Sequence, residues 1–304
     1  MRKYIALFAC LLALTTTQAQ DVVIKRPTKS ATTTTSKPSS STDKPSKAKP
    51  KSKPKNPIGE VIYETFTANG VSFKMIRVEG GTFTMGATPE QGSDADYDEK
   101  PAHQVTLSSY YIGETEVTQA LWQAVMGSTV SQQRDKANKE WPLRGVGTNY
   151  PMYNISWDEC QEFVRKLNSL TGQAFRLPTE AQWEFAARGG NKSQGYKYSG
   201  SNTLGNVAWY YDNSGQETHP VKTKSPNELG IYDMSGNVSE WCHDYWNSSY
   251  ESSSQTNPTG ASSGSYRVHR GGGWSSTTWG CRVSKRTYET PVGRNDPLGF
   301  RLAL

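Results

Sequence analysis

The second half of the sequence contains almost no regular hydrophobic periodicity, and this limits the folds that the chain can adopt. After Arg188 the residues are mainly Gly, Asn, Ser, Tyr and Trp, with neither the helical period of 3.6 nor the strand period of two. The chain holds 27 Gly, 9 Trp, 16 Tyr and 8 Phe, although only 34% of its residues are hydrophobic. Such a composition favours a loop-dense fold over a helix bundle, in which Ala and Leu dominate.

Regular elements are predicted mainly before Arg188. Helices are expected to follow the capping residues Thr118, Ser156 and Thr179. The first is expected to span 119–126. After Ser156, a buried helix face is predicted by the spacing of Cys160, Phe163, Val164 and Leu167. After Thr179, we expect Glu180 and Glu184 to favour the helix start. We expect the side chains of Trp183, Phe185 and Ala186 to point into the core.

Short strands are expected on both sides of these helices. They are predicted at 73–78, 82–86, 104–107, 110–113, 267–270 and 300–304. The combination predicts an α+β fold in a single loop-rich domain of residues 58–304 with little regular secondary structure.

The first 57 residues differ in composition from the rest. Residues 1–19 have a basic start, an apolar stretch and Thr17-Gln18-Ala19, the order of a secretory signal peptide. Residues 20–57 are rich in Lys, Pro, Ser and Thr and are expected to form a disordered linker. We expect this linker to act as a spacer or to contact anionic envelope polymers or lipid headgroups. We therefore expect an exported protein that is periplasmic, associated with the cell envelope or secreted.

The net charge of +6 comes from the linker. Ten Lys and Arg residues lie between 25 and 55 with Asp43 as the only acid there, so residues 56–304 carry a small net negative charge. A nucleic-acid-binding domain would carry a basic patch on its own surface. Nucleic acid is therefore excluded as a partner.

Several classes of catalytic and metal site are also excluded. The four histidines are isolated in sequence, and the chain has no Cys-x-x-Cys pair, P-loop, dinucleotide fingerprint or G-x-S-x-G elbow. A hard cation is better supported, because Asp233 and Glu240 flank Gly236 in a short polar segment. Calcium prefers six to eight oxygen ligands from carboxylates, amides and carbonyls.

Five segments together resemble the formylglycine-generating enzyme, or sulfatase-modifying factor, family. The segments lie between residues 71 and 304. They are Gly81-Thr82-Phe83-Thr84-Met85-Gly86; Glu116-Val117-Thr118; Arg176-Leu177-Pro178-Thr179-Glu180-Ala181-Gln182-Trp183-Glu184-Phe185; the segment from Asn227 to Trp241, which ends in Gly236-Asn237-Val238-Ser239-Glu240-Trp241; and Arg270-Gly271-Gly272-Gly273-Trp274 with the closing Leu298-Gly299-Phe300-Arg301-Leu302. The resemblance implies a variant of the C-type-lectin-like fold and bound calcium.

The family's calcium ligands map onto two sets of residues. The first set is Asp233, the carbonyls of Gly236 and Val238, Glu240 and, as an added carboxylate, Glu116. The second set is Asn206, Val207, Asp212 and Ser214, where the spacing differs from the family pattern by about one residue. Calcium is the cofactor that the resemblance implies.

The catalytic positions depart from the family pattern. Members that make formylglycine hold copper(I) between two cysteines five residues apart, and these positions are Ser276 and Cys281 here. A serine hydroxyl does not replace a thiolate as a ligand for this soft ion, so copper is not expected. Gly273 also replaces a serine usual near the family's oxygen site.

Three functions follow from this resemblance. The favoured one is a calcium-stabilised member repurposed to bind an exported protein or a glycan. The second is an oxidase of the formylglycine-generating type that acts on a cysteine of an exported sulfatase. The third is a structural component of a type IX secretion or gliding assembly in the envelope, with other assembly proteins as partners.

Overall fold

The computed structural model describes residues 61–93 and 95–304. The predicted signal peptide, the predicted linker and the predicted domain start at residue 58 lie outside the described residues. No helix of the described part is both long and apolar enough to cross a membrane.

Three small sheets form the β part of the fold. The first contains β1 (Tyr63–Ala68), β2 (Val71–Val78) and β5 (Tyr110–Gly113), in that order and all antiparallel. In the second, β4 (His103–Leu107) pairs antiparallel with β3 (Gly81–Met85) and parallel with β7 (Gln255–Thr256). The third has the order β10 (Leu298–Phe300), β6 (Ser239–Tyr245), β8 (Arg267–Arg270) and β9 (Arg286–Glu289). Within it, β10 is parallel to β6 and the other pairs are antiparallel.

Four α-helices are described: α1 (Gln119–Met126), α2 (Val130–Asn138), α3 (Trp157–Thr171) and α4 (Glu180–Ala187). The predicted caps at Thr118, Ser156 and Thr179 are confirmed, since each hydroxyl accepts a hydrogen bond from the third backbone N–H of its helix. Sequence periodicity missed α2, because this helix is polar and buries only Val130 and Gln133. The α+β architecture with few helices agrees with the prediction.

Aromatic side chains join α1, α3 and the last strand in one part of the core. The rings of Trp122 and Phe163 are stacked with centroids 5.5 Å apart, and Phe300 meets both rings edge-on. All three side chains are buried, together with the predicted inward face of α3. Burial of large apolar side chains supplies most of the stabilisation of such a core.

Helix α4 is buried on every side, which the sequence did not indicate. Its acids are paired inside the protein: Arg286 forms two hydrogen bonds with Glu180, at 2.6 and 2.9 Å, and Arg270 bonds both Glu180 and Glu184. A buried carboxylate is tolerated where an opposite charge and hydrogen bonds compensate for lost hydration. Glu180 and Glu184, which were expected to favour the helix start, therefore bind α4 to the third sheet through these ion pairs.

We expect Phe163→Ala to destabilise the domain by about 3–5 kcal/mol, because it leaves a cavity between Trp122 and Phe300. The matched control is Leu170→Ala, at an exposed position of the same helix, which is expected to change the free energy of unfolding by less than about 0.5 kcal/mol. Urea unfolding followed by circular dichroism measures both. Equal effects of the two substitutions would contradict this assignment of the core.

Candidate functional site

The segment between Asp233 and Glu240 forms a tight loop that leads into β6. Asp233, Gly236 and Asn237 all have positive φ, at 59°, 81° and 60°. A Cβ atom at Gly236 would lie 2.3 Å from the carbonyl oxygen of Trp209, so only glycine fits there. We call residues 233–240 together with Glu116 the acidic loop site.

Three carboxylates of the acidic loop site are buried, and their hydrogen bonding is unequal. Glu240 is fully bonded, because Arg301 donates to both of its oxygens at 2.5 and 2.6 Å and Trp183 Nε1 donates at 2.6 Å. Asp233 accepts one backbone N–H on Oδ2, at 2.9 Å, and its buried Oδ1 has no partner among the described residues. Glu116 accepts two long hydrogen bonds of 3.4 Å, from the Asn237 side-chain amide and the Val238 N–H.

The electrostatics of this site suit a divalent cation. Burial, followed by the charges of Asp233 and Glu240, raises the pKa of Glu116 well above its usual range. Burial also raises the pKa of Asp233 to about 6. The Arg301 guanidinium pairs with Glu240, and its charge together with that of Lys222 offsets only part of the rise in the pKa of Asp233. The unpartnered Asp233 oxygen and the weakly bonded Glu116 carboxylate are hard oxygen donors of the kind that calcium prefers.

The second predicted set of calcium ligands is arranged differently. Asn206 and Asp212 are exposed, whereas Val207 and Ser214 are buried. The carbonyl of Ser214 lies 2.8 Å from His219 Nε2, and its hydroxyl donates to the Trp274 carbonyl. These residues fit calcium less well than the acidic loop site does.

A lysine lies beside the second set. Lys224 Nζ donates to the carbonyl of Gly205 at 2.9 Å and is 3.9 Å from the centre of the Trp209 ring. A cation is thus already present next to Asn206, which further disfavours calcium at that place.

Ser276 and Cys281 lie on one glycine-rich turn. The Ser276 hydroxyl accepts a hydrogen bond from the Gly273 N–H at 2.9 Å. A Cβ atom at Gly280 would lie 3.2 Å from Ser276 Cβ, and one at Gly272 would lie 3.1 Å from Cys281 Sγ. The turn therefore brings the two family copper positions into the same small region. At Gly273 a Cβ atom would lie 2.6 Å from Pro297 Cβ.

The cysteine thiols of the described residues are free and lie in different parts of the core. Cys160 belongs to the cluster around Trp122, Cys242 to the cluster around Trp183, and Cys281 to a small cluster with Leu204 and Ala208. Burial raises the pKa of Cys281 to about 12. Cys281 is thus a packed, protonated thiol, and neither Cys160 nor Cys242 shares its cluster.

An acidic cluster elsewhere is neutralised by basic residues. Carboxylate oxygens of Asp96, Asp98 and Glu99 lie within 4.8 Å of one another. Arg282 donates to both oxygens of Glu99, at 2.5 and 2.8 Å, and Lys285 forms an ion pair with Asp96. These contacts give the cluster a structural explanation.

Sequence reasoning missed an open groove of about 510 Å³ on the third sheet. Its lining includes Trp141, Ser239, His269, Trp274, Tyr288 and Pro297. These residues come from segments up to 156 positions apart, so spacing in the sequence gives no signal for them. The groove borders the turn of Ser276, because Trp274 and Ser275 belong to both.

The fold and the site define a class of protein. It is a loop-rich α+β domain with few helices, in which a buried Glu–Arg pair closes an acidic loop. Residues 63–304 match the family described as sulfatase-modifying factor enzyme 1-like domain. The chain belongs to this family, as the sequence motifs predicted.

Individual relatives carry different names. The chain is 35% identical over 252 residues to the "Chaperone protein LppX" of Paenibacillus barcinonensis, a match that covers 70% of this chain and 83% of that protein. It is 30% identical to the formylglycine-generating enzyme of Streptomyces coelicolor, over 75% of this chain and 88% of that enzyme. Among solved structures, "Treponema denticola variable protein 1" is 36% identical with a TM-score of 0.68, over 80% of this chain and 98% of that one.

We expect the three buried thiols to resist alkylation in the native protein. With a pKa of about 12, Cys281 is ionised in only ~10⁻⁴ of molecules at pH 8, and the thiolate is the reactive form. Iodoacetamide followed by peptide mass spectrometry should modify Cys160, Cys242 and Cys281 only after unfolding. The control Ser275→Cys, at an exposed position of the turn, should react at once. Fast native labelling of Cys281 would contradict its burial.

Proposed function

We propose that this protein is an exported, calcium-stabilised member of the family that binds a protein or glycan ligand and does not act as a copper oxidase. The observation that carries the proposal is Ser276 at the position of the first copper cysteine. Copper(I) is held by two thiolates in formylglycine-generating members, and the neutral hydroxyl of Ser276 is a poor ligand for so soft an ion.

The chemistry of Cys281 supports the same conclusion. Its thiol is buried and has a raised pKa, and Cys160 and Cys242 lie in other clusters. A protonated thiol is a weak metal ligand, and one sulfur is too few for the linear copper(I) site. The protein therefore keeps the fold of the family but lacks the second sulfur ligand that copper oxidase chemistry needs.

The relatives' names agree with a family whose members are not all oxidases. A protein named as a chaperone and a structure titled as a variable protein are as similar to this chain as the formylglycine-generating enzyme is, or more so. We propose that the ligand binds in the groove lined by Trp141, Trp274 and Tyr288, because aromatic walls bury contact area at low entropic cost. The ligand would be an exported protein or a glycan.

We propose that calcium binds the acidic loop site through Asp233, Glu116 and the loop carbonyls, with Glu240 held in place by Arg301. The support is the unpartnered Oδ1 of Asp233 and the raised pKa values of Glu116 and Asp233, which a bound cation would lower. When bound, calcium would neutralise these carboxylates and fix the loop. Its role would be structural.

Calcium should raise the melting temperature of the protein, and more at pH 8 than at pH 5. The folded-state pKa values of Glu116 and Asp233 are raised, so without metal their contribution to stability is present at low pH and is lost as the pH rises. Calcium replaces the protons and reverses this loss. A hundredfold excess over Kd gives about 2.7 kcal/mol, or roughly 5–11 °C for a domain of this size.

Differential scanning fluorimetry in calcium and in EDTA measures this effect. Asp233→Ala should abolish the calcium shift, whereas the control Glu79→Gln, at an exposed position, should keep it. An equal melting temperature with and without calcium at pH 8 would refute the calcium site.

Ser276→Cys should create a copper(I) site that the wild-type protein lacks. The turn brings positions 276 and 281 together, so the substitution restores the second sulfur. Competition with a chromophoric copper(I) chelator should give one tightly bound ion in Ser276→Cys. The wild-type protein and the control Ser275→Cys should bind none.

The same proteins test the oxidase alternative directly. A peptide with the sulfatase motif C-x-P-x-R is incubated with wild-type protein, copper and a reductant, and its mass is followed. We expect the mass to stay unchanged. Conversion of the cysteine to an aldehyde would overturn the proposal and establish the oxidase function.

A further inference from the structure

A pocket of about 380 Å³ opens beside Arg176, close to the start of α4. Its walls come from the end of β4 and the turn after it, from the residues that precede α4, from His243 in β6 and from residues 257–259. We call it the Arg176 pocket. It shares no lining residue with the groove of Trp141, Trp274 and Tyr288, so the two are separate sites.

Arg176 presents two N–H groups that the protein does not use. Its Nη1 donates to the Leu177 carbonyl at 3.2 Å and to Gln182 Oε1 at 2.7 Å, so the start of α4 holds the guanidinium in place. Its Nε and Nη2 have no acceptor in the described part of the chain, and both remain accessible. Burial lowers the pKa of Arg176, an effect that a bound anion would oppose.

The same edge of the guanidinium binds carboxylates elsewhere in this protein. Arg286 uses Nε and Nη2 to bind both oxygens of Glu180, at 2.6 and 2.9 Å. Arg301 binds both oxygens of Glu240 through the same two nitrogens, at 2.5 and 2.6 Å. Two parallel N–H groups match the two oxygens of a carboxylate. The unused edge of Arg176 is therefore complementary to a carboxylate that the described residues do not supply.

The charges around the Arg176 pocket also favour an anion. None of the lining residues is an aspartate or a glutamate. Asp244, whose charge reaches Arg176, lines another cavity, and its Oδ2 accepts the Glu180 N–H at 2.9 Å. Burial raises the pKa of Asp244 to about 7, so this acid is only partly ionised at neutral pH. In the pocket itself, burial and then the charges of Arg267 and Arg176 lower the pKa of His243.

Three hydroxyl groups of the pocket are left with protons to donate. Ser108 Oγ accepts a hydrogen bond from Asn257 Nδ2, and the Ser109 and Thr179 hydroxyls each accept one from a backbone N–H. None of the three donates to an acceptor among the described residues, so each proton is available to a ligand. The pocket has the volume of a small-molecule site, which is more than a carboxylate group alone fills. A carboxylate carried on a hydroxylated body would use both the guanidinium edge and these donors.

We propose that the Arg176 pocket binds an acidic sugar, a uronate, through its carboxylate. The Nε and Nη2 groups of Arg176 hold the two carboxylate oxygens, and the free hydroxyl protons of the pocket bind oxygens of the sugar ring. The apolar side chains of Leu177 and Pro258 contact the carbon face of that ring. A free uronic acid and a uronate unit of a polysaccharide offer the same group to the pocket.

Isothermal titration calorimetry of the full chain with D-galacturonate tests this proposal. We expect saturable binding with one ligand per chain, and no binding of the uncharged D-galactose at the same concentrations. No binding of D-galacturonate, or equal binding of D-galactose, would overturn the proposal. Tighter binding of the peptide acid N-acetylglutamate would also overturn the assignment to a sugar.

Titration with trigalacturonate distinguishes the two sources of the carboxylate. Tighter binding of the trisaccharide than of D-galacturonate would support a polysaccharide as the source. Binding of the monosaccharide alone would support a free uronic acid.

The variant Arg176→Lys tests whether the guanidinium edge carries the binding. It keeps the positive charge but loses the two parallel N–H groups, so we expect the affinity for D-galacturonate to fall at least ~10-fold. The matched control Arg165→Lys, at an exposed position of α3, should keep the wild-type affinity. Thermal melting checks that both variants fold, and the wild-type titrations can refute the proposal without them.

This inference and the proposed ligand groove can fail separately. D-galacturonate binding that Arg176→Lys leaves unchanged would overturn the Arg176 pocket and leave the proposed function in place. Loss of binding in Arg176→Lys, in a protein that proves to be a copper oxidase, would refute only the proposed function.

Discussion

The buried ion pair between Glu240 and Arg301 is the interaction on which the rest of the structure depends. Arg301 follows β10 and donates to both oxygens of Glu240 in β6, to the Gly113 carbonyl at the end of β5 and to the Tyr232 carbonyl beside the acidic loop. One guanidinium thus joins two sheets and the loop. Removal of one partner from a buried pair costs about 3–5 kcal/mol, because the other charge is left uncompensated. A chain with long irregular segments needs such fixed points.

The acidic loop and the Cys281 turn are held together by backbone and hydroxyl hydrogen bonds. Asn237 donates its N–H to the Trp209 carbonyl at 2.8 Å, and its own carbonyl accepts from Trp274 at 2.8 Å. The Ser235 hydroxyl donates to the Cys281 carbonyl at 2.9 Å. The loop, the turn and Trp274 in the wall of the groove are therefore joined by direct hydrogen bonds. These bonds link the proposed calcium site to the proposed ligand groove.

The sequence was sufficient for the features that depend on local pattern. Capping residues marked the starts of α1, α3 and α4, the strand predicted at 104–107 corresponds to β4, and the motifs identified the family. It was insufficient for α2, whose polar residues leave no periodicity, and for the buried acids of α4, whose partners Arg270 and Arg286 lie 86 to 106 positions away. The Arg176 pocket combines segments that are far apart in the sequence, which only the folded chain brings together. Asp233 and Glu240 were proposed as ligands from their spacing in the sequence, whereas Glu116 and the loop carbonyls came from the family resemblance.

The close approach of Gly273 to Pro297 has a consequence for how this protein could change over generations. A side chain at position 273 would collide with the proline ring, so the serine that oxidase members carry there could return only after Pro297 had been replaced or had moved. The substitution Ser276→Cys alone would restore the second sulfur, but Pro297 would still exclude a side chain at position 273. The family pattern at this turn would therefore require changes at positions 273, 276 and 297 together.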